Sequence, residues 1–149
     1  MYERIYGLEY GWAQHLEGSY FPKEVLRSDS QRGRQLWYLD NGSRSLVRSD
    51  YCNTAVVRWT VREHEVALAG QAPTTLVDPV PVNVLRKKIL ATVNNCWREI
   101  LAEPERYRNR FYQAFIVLSY CRLLHDLHNG STGSKRTGAE WAKANMDPS

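Results

Sequence analysis

NRFYQAFIVLSYCRLLHDLHNGSTGSKR, residues 109–136, is the stretch on which the fold turns. From Phe111 to Leu127 it is apolar nearly all round a helical wheel, which is the pattern of a helix enclosed by others. The spacing predicts a helix over 109–128 at the centre of a bundle. Gly130 and Gly133 end it and open a turn. Ser134 is placed to cap a further helix from Lys135 to about Asn145. Trp141 and Ala142 would face its interior.

Upstream, Leu85, Ile89, Val93, Cys96, Trp97, Ile100 and Leu101 recur at helical spacing. Pro81 suits the first turn of that helix, and Pro104 ends it. Three helices with short connections make a small bundle over 83–149. Before it, QAPTTLVDPVPVN (71–83) carries three prolines and few helix formers, so 73–82 reads as a linker. Residues 1–72 read as a separate mixed segment. Residues 3–15 suit a helix weakened by Gly7 and Gly11. LEGSYFP (16–22) suits a short strand stopped by Pro22. QLWYL and SRSLVRS flank Asp40-Asn41-Gly42, a hairpin signal. Asn53 or Thr54 would cap a helix running to about Glu65, whose apolar positions Val56, Val57, Trp59 and Val61 form no clean stripe. VALAG (66–70) suits a short strand or a helix end. The fold class expected is α+β, mainly α.

The 149 residues carry 20 basic and 16 acidic side chains, a net charge of +4, with 43% apolar residues. This is an ordinary globular composition. It excludes a disordered chain and a collagen-like one, and no run of about 18 apolar residues offers a membrane span. MYERIYGLEYGW lacks a signal-peptide pattern, and a cytoplasmic location is expected. Residues 1–75 hold nine charges of each sign, whereas residues 76–149 hold eleven basic and seven acidic. The bias in one half suits an anionic ligand such as a phosphate or a solvated basic face. Without a basic helix face with interleaved aromatics, nucleic acid ranks last among partners. Cys52, Cys96 and Cys121 give neither a disulfide framework nor a metal pattern. His125 and His128 share a helical face, but no third ligand is near in sequence, so structural or surface histidines are the reading and no metal site is assigned.

Three positions stand out chemically. Lys135 and Arg136 lie in the first turn of the last helix, where the backbone is already partly positive. A bound anion would relieve the conflict, as would side chains bending into water. Arg122 is the lone cation on an otherwise apolar helical stretch and needs a carboxylate or an anion; Asp126, four residues on, is one candidate. Glu17 begins a short strand, where it could line a cleft or face solvent. There is no Asp-x-Asp, no Gly-rich phosphate loop and no nucleophile elbow.

Arg62-Glu63-His64-Glu65-Val66-Ala67-Leu68-Ala69-Gly70, followed by Leu76-Val77-Asp78-Pro79-Val80, resembles the aminoglycoside adenylyltransferases that inactivate streptomycin and spectinomycin. The likeness continues in Val117-Leu118-Ser119-Tyr120-Cys121-Arg122, in Gly130-Ser131-Thr132-Gly133-Ser134-Lys135 and in Ala139-Glu140-Trp141-Ala142, covering roughly residues 60–145. The resemblance implies a nucleotidyltransferase catalytic domain followed by a helical domain, with Mg-ATP and the drug bound between them and an adenylyl group passed to a drug hydroxyl. It implies Arg122 and Lys135 as nucleotide phosphate ligands, Glu17 as general base on the hydroxyl, and Trp37 as an aromatic wall for the substrate. The family's Gly-Ser motif and Asp-x-Asp metal pair have no counterpart here and are expected before residue 1. The expectation is therefore a chain carrying the helical domain and the tail of the catalytic domain, inactive alone. The acidic residues that relatives use on the drug have no counterpart at Tyr112 or Gln113, which leaves the drug class open. The alternative is a non-catalytic binding or dimerisation module, with the homodimer as its partner.

Overall fold

The computed structural model describes residues 2–64 and 66–146. The chain divides into two compact units, Met1–Pro79 and Val80–Ser149, and the class is α+β, mainly α. The first unit holds α1 (Tyr2–Tyr6), a 3-10 turn (Gly11–His15), β1 (Gly18–Tyr20), α2 (Lys23–Arg27), a 3-10 turn (Asp29–Gln31), β2 (Leu36–Leu39), β3 (Leu46–Ser49), α3 (Ala55–Glu63) and α4 (Pro73–Leu76). The second holds α5 (Val82–Ala102), a 3-10 turn (Pro104–Tyr107), α6 (Arg110–Asn129) and α7 (Lys135–Asn145).

The helix expected over 3–15 is split into α1 and the 3-10 turn. The break runs from Gly7 to Tyr10, where glycine's backbone entropy makes a continuous helix expensive. The strands form one antiparallel sheet in the order β1-β2-β3, with Tyr20 opposite Trp37 and Trp37 opposite Arg48. Asn41 and Gly42 make the turn between β2 and β3, closed by the Ser43 N–H donating to Asp40 O at 2.9 Å. The Thr54 hydroxyl caps α3, accepting from the Val57 N–H at 3.3 Å.

The missing apolar stripe of α3 has a physical cause. Its buried positions are Ala55 and Arg58. Arg58 is 2% exposed. Its guanidinium donates to Asn53 Oδ1 and to the Val25 and Leu26 carbonyls. Asn53 in turn donates to the Gln31 and Arg34 carbonyls. An arginine thus occupies the place a Leu would have been expected to take. The helix ends at Glu63, and Glu65 lies outside the described residues. Residues 66–70 are exposed and neither strand nor helix.

The segment read as a linker is partly folded. Residues 73–76 form α4, and Arg62 donates to the Thr74 and Val77 carbonyls. Arg27 donates to the Thr75 carbonyl at 3.2 Å. These cations satisfy carbonyls that a one-turn helix leaves without intrahelical partners. The division between units falls after Pro79.

In the second unit α6 packs on both α5 and α7. Leu85 and Ile89 of α5 are fully buried, Tyr120 Oη donates to the Val93 carbonyl at 3.3 Å, and Arg86 donates to the Leu127 and His128 carbonyls. The enclosure expected for α6 is incomplete: Phe111 is 71% and Val117 60% exposed, and the helix's buried residues are Leu123 and Asp126. At 1.5 Å rise per residue, α7 with 11 residues spans only part of the length of α6 with 20.

The α6–α7 crossing is set by a glycine. A Cβ on Gly138 would lie 2.4 Å from Arg122 Cα and 2.5 Å from Arg122 N. Gly138→Ala should therefore destabilise the second unit by about 1–3 kcal/mol, the usual cost of overpacking, despite alanine's better helix propensity. Thermal unfolding followed by circular dichroism checks this; an unchanged or raised midpoint would mean that the helices separate at no cost.

Candidate functional site

The α6–α7 turn is fastened from inside. Gly130 ends α6 in the left-handed conformation, and Asp126, buried, accepts the Gly133 N–H at 2.8 Å and pairs with His125 Nδ1 at 2.9 Å. Asp126 is therefore engaged, and the Arg122–Asp126 pair suggested by spacing is not formed among the described residues. The rings of His125 and His128 both pack on Trp141, at 6.0 and 5.3 Å between centroids.

Ser134 opens α7. Its hydroxyl accepts the Thr137 N–H at 3.0 Å, and the Lys135 and Arg136 N–H groups precede the helix's own hydrogen bonds. The two first-turn cations then part company. Arg136 is exposed and donates to Glu140 Oε1 at 2.9 Å, so it takes the bland course. Lys135 instead lays Nζ over the Phe115 ring, 3.9 Å from its centroid. Burial, and after it the charge of Arg122, pushes the Lys135 ammonium below the ordinary lysine range. Arg122 is half-buried and, among the described residues, has no carboxylate partner. Gly138 of α7 lies against the Arg122 backbone, and the Arg122 charge acts on Lys135, at a helix N-terminus that is itself partly positive. An anion placed there would meet two cations and backbone donors.

The other sequence candidates lie in the first unit. Glu17 precedes β1 and accepts a hydrogen bond from Tyr38 Oη at 2.7 Å. The same hydroxyl lies 3.2 Å from Asp40 Oδ1. Glu17 lines a cleft of about 310 Å³ with Ile5, Leu16, Tyr20 and Leu39. Burial first, then these hydrogen bonds, raises the Tyr38 phenol well above the ordinary tyrosine range. Trp37 is 48% exposed, with the Arg48 guanidinium 4.7 Å over its ring. Strand alternation puts it on the opposite face from Tyr38, so Glu17 and Trp37 are not brought to one surface of the sheet. The residues that sequence reasoning passed over are Phe115 and Tyr38. Phe115 had a readable signal, since it lies seven residues before Arg122 and so shares its helical face. Tyr38 depends on sheet contacts that spacing does not encode, and Asp126, weighed as a partner for Arg122, serves the turn instead.

The match with known proteins covers the second unit and the last residues of the first. Residues 75–148 match the family model described as the aminoglycoside adenylyltransferase C-terminal domain. No curated protein and no solved structure matches the chain. No helix among the described residues is long and apolar enough to cross a membrane.

Two measurements test the geometry. Arg122→Gln should move the Lys135 pKa part of the way back toward the ordinary value, since burial remains; an unchanged lysine titration by NMR would mean that the two cations do not share a field. For Tyr38, the unfolded chain releases the phenol proton near pH ~10 while the folded unit keeps it. The stability this gives is full below that pH and falls as pH rises beyond it. Denaturant unfolding from about pH 9 to about pH 11 should show this alkaline loss in the native chain, and a smaller one in Tyr38→Phe.

Proposed function

We infer, from residues 75–148 being the C-terminal domain of an aminoglycoside adenylyltransferase, that this chain supplies the nucleotide-phosphate side of an adenylyl-transfer site. In that reaction an acceptor hydroxyl oxygen bonds to the α-phosphorus of ATP, and pyrophosphate leaves with the P–O bond electrons. Arg122, Lys135 and the first N–H groups of α7 offset the charge that builds on the departing phosphates. In the first unit, Glu17, held by the Tyr38 hydrogen bond, is the carboxylate suited to take a hydroxyl proton, while Trp37, on the other face of the sheet, stays a wall by resemblance only. The acceptor is a small aminoglycoside-like molecule, the setting cytoplasmic and the biological outcome antibiotic resistance.

Magnesium is part of the family's chemistry, but the described residues offer no ligand cluster for it and the sequence has no Asp-x-Asp. The observation that carries the reading is the convergence of Arg122 and Lys135 without a carboxylate.

A second reading rests on α5. Leu90, Trp97 and Leu101 are each at least half exposed and share one face by helical spacing, which favours self-association. Light scattering after size exclusion would return a discrete dimer on that reading and a monomer at every concentration against it.

The primary reading is tested by calorimetry with Mg-ATP. The native chain should bind, and Lys135→Ala should bind about tenfold more weakly or worse, in line with the loss of a charged hydrogen bond. Absence of binding by the native chain, or equal binding by both, would remove the phosphate site from the account.

A further inference from the structure

Tyr38 Oη stands between two carboxylates. It lies 2.7 Å from Glu17 Oε1, just before β1, and 3.2 Å from Asp40 Oδ1, just after β2. A phenol has one proton to donate, so the two acids compete for it, and the shorter distance favours Glu17. Asp40 is held meanwhile by the Asn41 N–H, which donates to the same Oδ1 at 2.9 Å. Neither acid forms an ion pair among the described residues. The phenol keeps its proton, because burial and then the two acids raise it above the ordinary tyrosine range. The other titratable neighbours are few. Tyr51 meets the Tyr38 ring with centroids 5.5 Å apart. His15, two residues before Glu17, lies with Nδ1 3.2 Å from Asn41 Oδ1. Tyr20 lines the cleft with Glu17, α1 contributes Ile5, and among the described residues no lysine or arginine lines it.

We propose that Tyr38 is a positioning residue that passes its hydrogen bond from Glu17 to Asp40 when Glu17 takes up a proton. The proposal rests on Glu17 acting as the base and assigns Tyr38 and Asp40 to its support. A donor fixed on a carboxylate favours the charged form and so makes it a weaker base. A residue that must be both oriented and ready to accept a proton faces that conflict, and Asp40 removes it. Before transfer, the Tyr38 hydroxyl donates to the Glu17 carboxylate. As the acceptor's O–H bond breaks, an O–H bond forms on Glu17. The phenol proton then turns to Asp40, and the new Glu17 O–H donates to Tyr38 Oη. The phenol O–H bond stays intact throughout, and Asp40 stays ionised. Tyr38 makes one charge-assisted hydrogen bond in each state, so it orients Glu17 without weakening it as a base.

The test is a carbon-13 NMR titration of the full chain from about pH 2 to about pH 7, across the carboxylate range, reading the Glu17 and Asp40 carboxyl carbons and Tyr38 Cζ. In the native chain Tyr38 Cζ should shift at the Glu17 midpoint although the phenol does not ionise there. Asp40→Asn leaves only an uncharged acceptor for the phenol proton, which then stays on Glu17, and the Glu17 midpoint should fall by about one pH unit. In a Tyr38→Phe background the same substitution should move that midpoint much less. Phenylalanine keeps a ring against Tyr51, and far-UV circular dichroism checks that the unit stays folded. An equal effect of Asp40→Asn with and without the phenol would mean that the acids act through space, and the exchange is overturned. A Tyr38 Cζ that is silent at the Glu17 midpoint overturns it too. The titration needs neither nucleotide nor turnover. Unchanged adenylyl transfer in Glu17→Gln would therefore remove the base reading, whereas uncoupled titrations remove the exchange itself.

Discussion

The second unit depends on the close approach of α7 to α6 where Gly138 lies against the Arg122 backbone. Everything placed at the start of α7 follows from it. With no Cβ at position 138, the two backbones come near enough that α7 begins beside the middle of α6. That brings Lys135 across to Phe115, 20 residues earlier in the chain. Asp126 then removes the freedom that remains. By accepting the Gly133 N–H from a buried position, it sets the turn from which α7 departs. Buried carboxylates are costly unless hydrogen-bonded, and the Gly133 and His125 donors meet that cost. The same residue is thereby withdrawn from Arg122.

That withdrawal gives the cation pair its chemical character. Two like charges on packed elements repel, and each raises the cost of charging the other. The ordinary remedies are a carboxylate or full exposure to water. Arg136 has both, through Glu140 and its exposed position. Arg122 and Lys135, one helical crossing away, have neither in full. The contrast between adjacent residues Lys135 and Arg136 separates a cation held in place by the fold from one that merely decorates a helix.

The helices of the second unit were legible because their signals are local. Pro81, Pro104, Ser134 and Gly130 mark ends by backbone chemistry that does not depend on distant residues. The hairpin at Asn41-Gly42 was legible for the same reason. The failures were of two kinds. For α6, the apolar character all round correctly indicated a helix with two packing neighbours but said nothing of their lengths, so the bare state of Phe111 was not foreseeable. For α3 and the supposed linker, arginine did work that pattern reading assigns to apolar residues. Arg58 fills a core position by bonding carbonyls, and Arg62 and Arg27 tie down 73–77 by the same means. A periodicity scan counts each of these as polar and therefore outside.

The candidate site was legible in part, and for a reason that limits it. Arg122 and Lys135 each violate a local rule, a cation on an apolar helix and a cation at a helix N-terminus. Rule violations that persist in a folded chain tend to mark function. What the sequence could not supply was whether each violation was resolved nearby. Spacing offered Asp126 to Arg122, and the turn geometry took Asp126 away. Spacing made Lys135 and Arg136 equivalent, and only the packing of α7 on α6 distinguished them. Glu17 shows the converse. Nothing in its local sequence set it apart, and its one specific feature, the short hydrogen bond from Tyr38, arises from the pairing of β1 with β2. A carboxylate whose orientation comes from sheet register and a cation pair whose placement comes from a glycine crossing are both properties of packing, one step beyond what residue spacing can express.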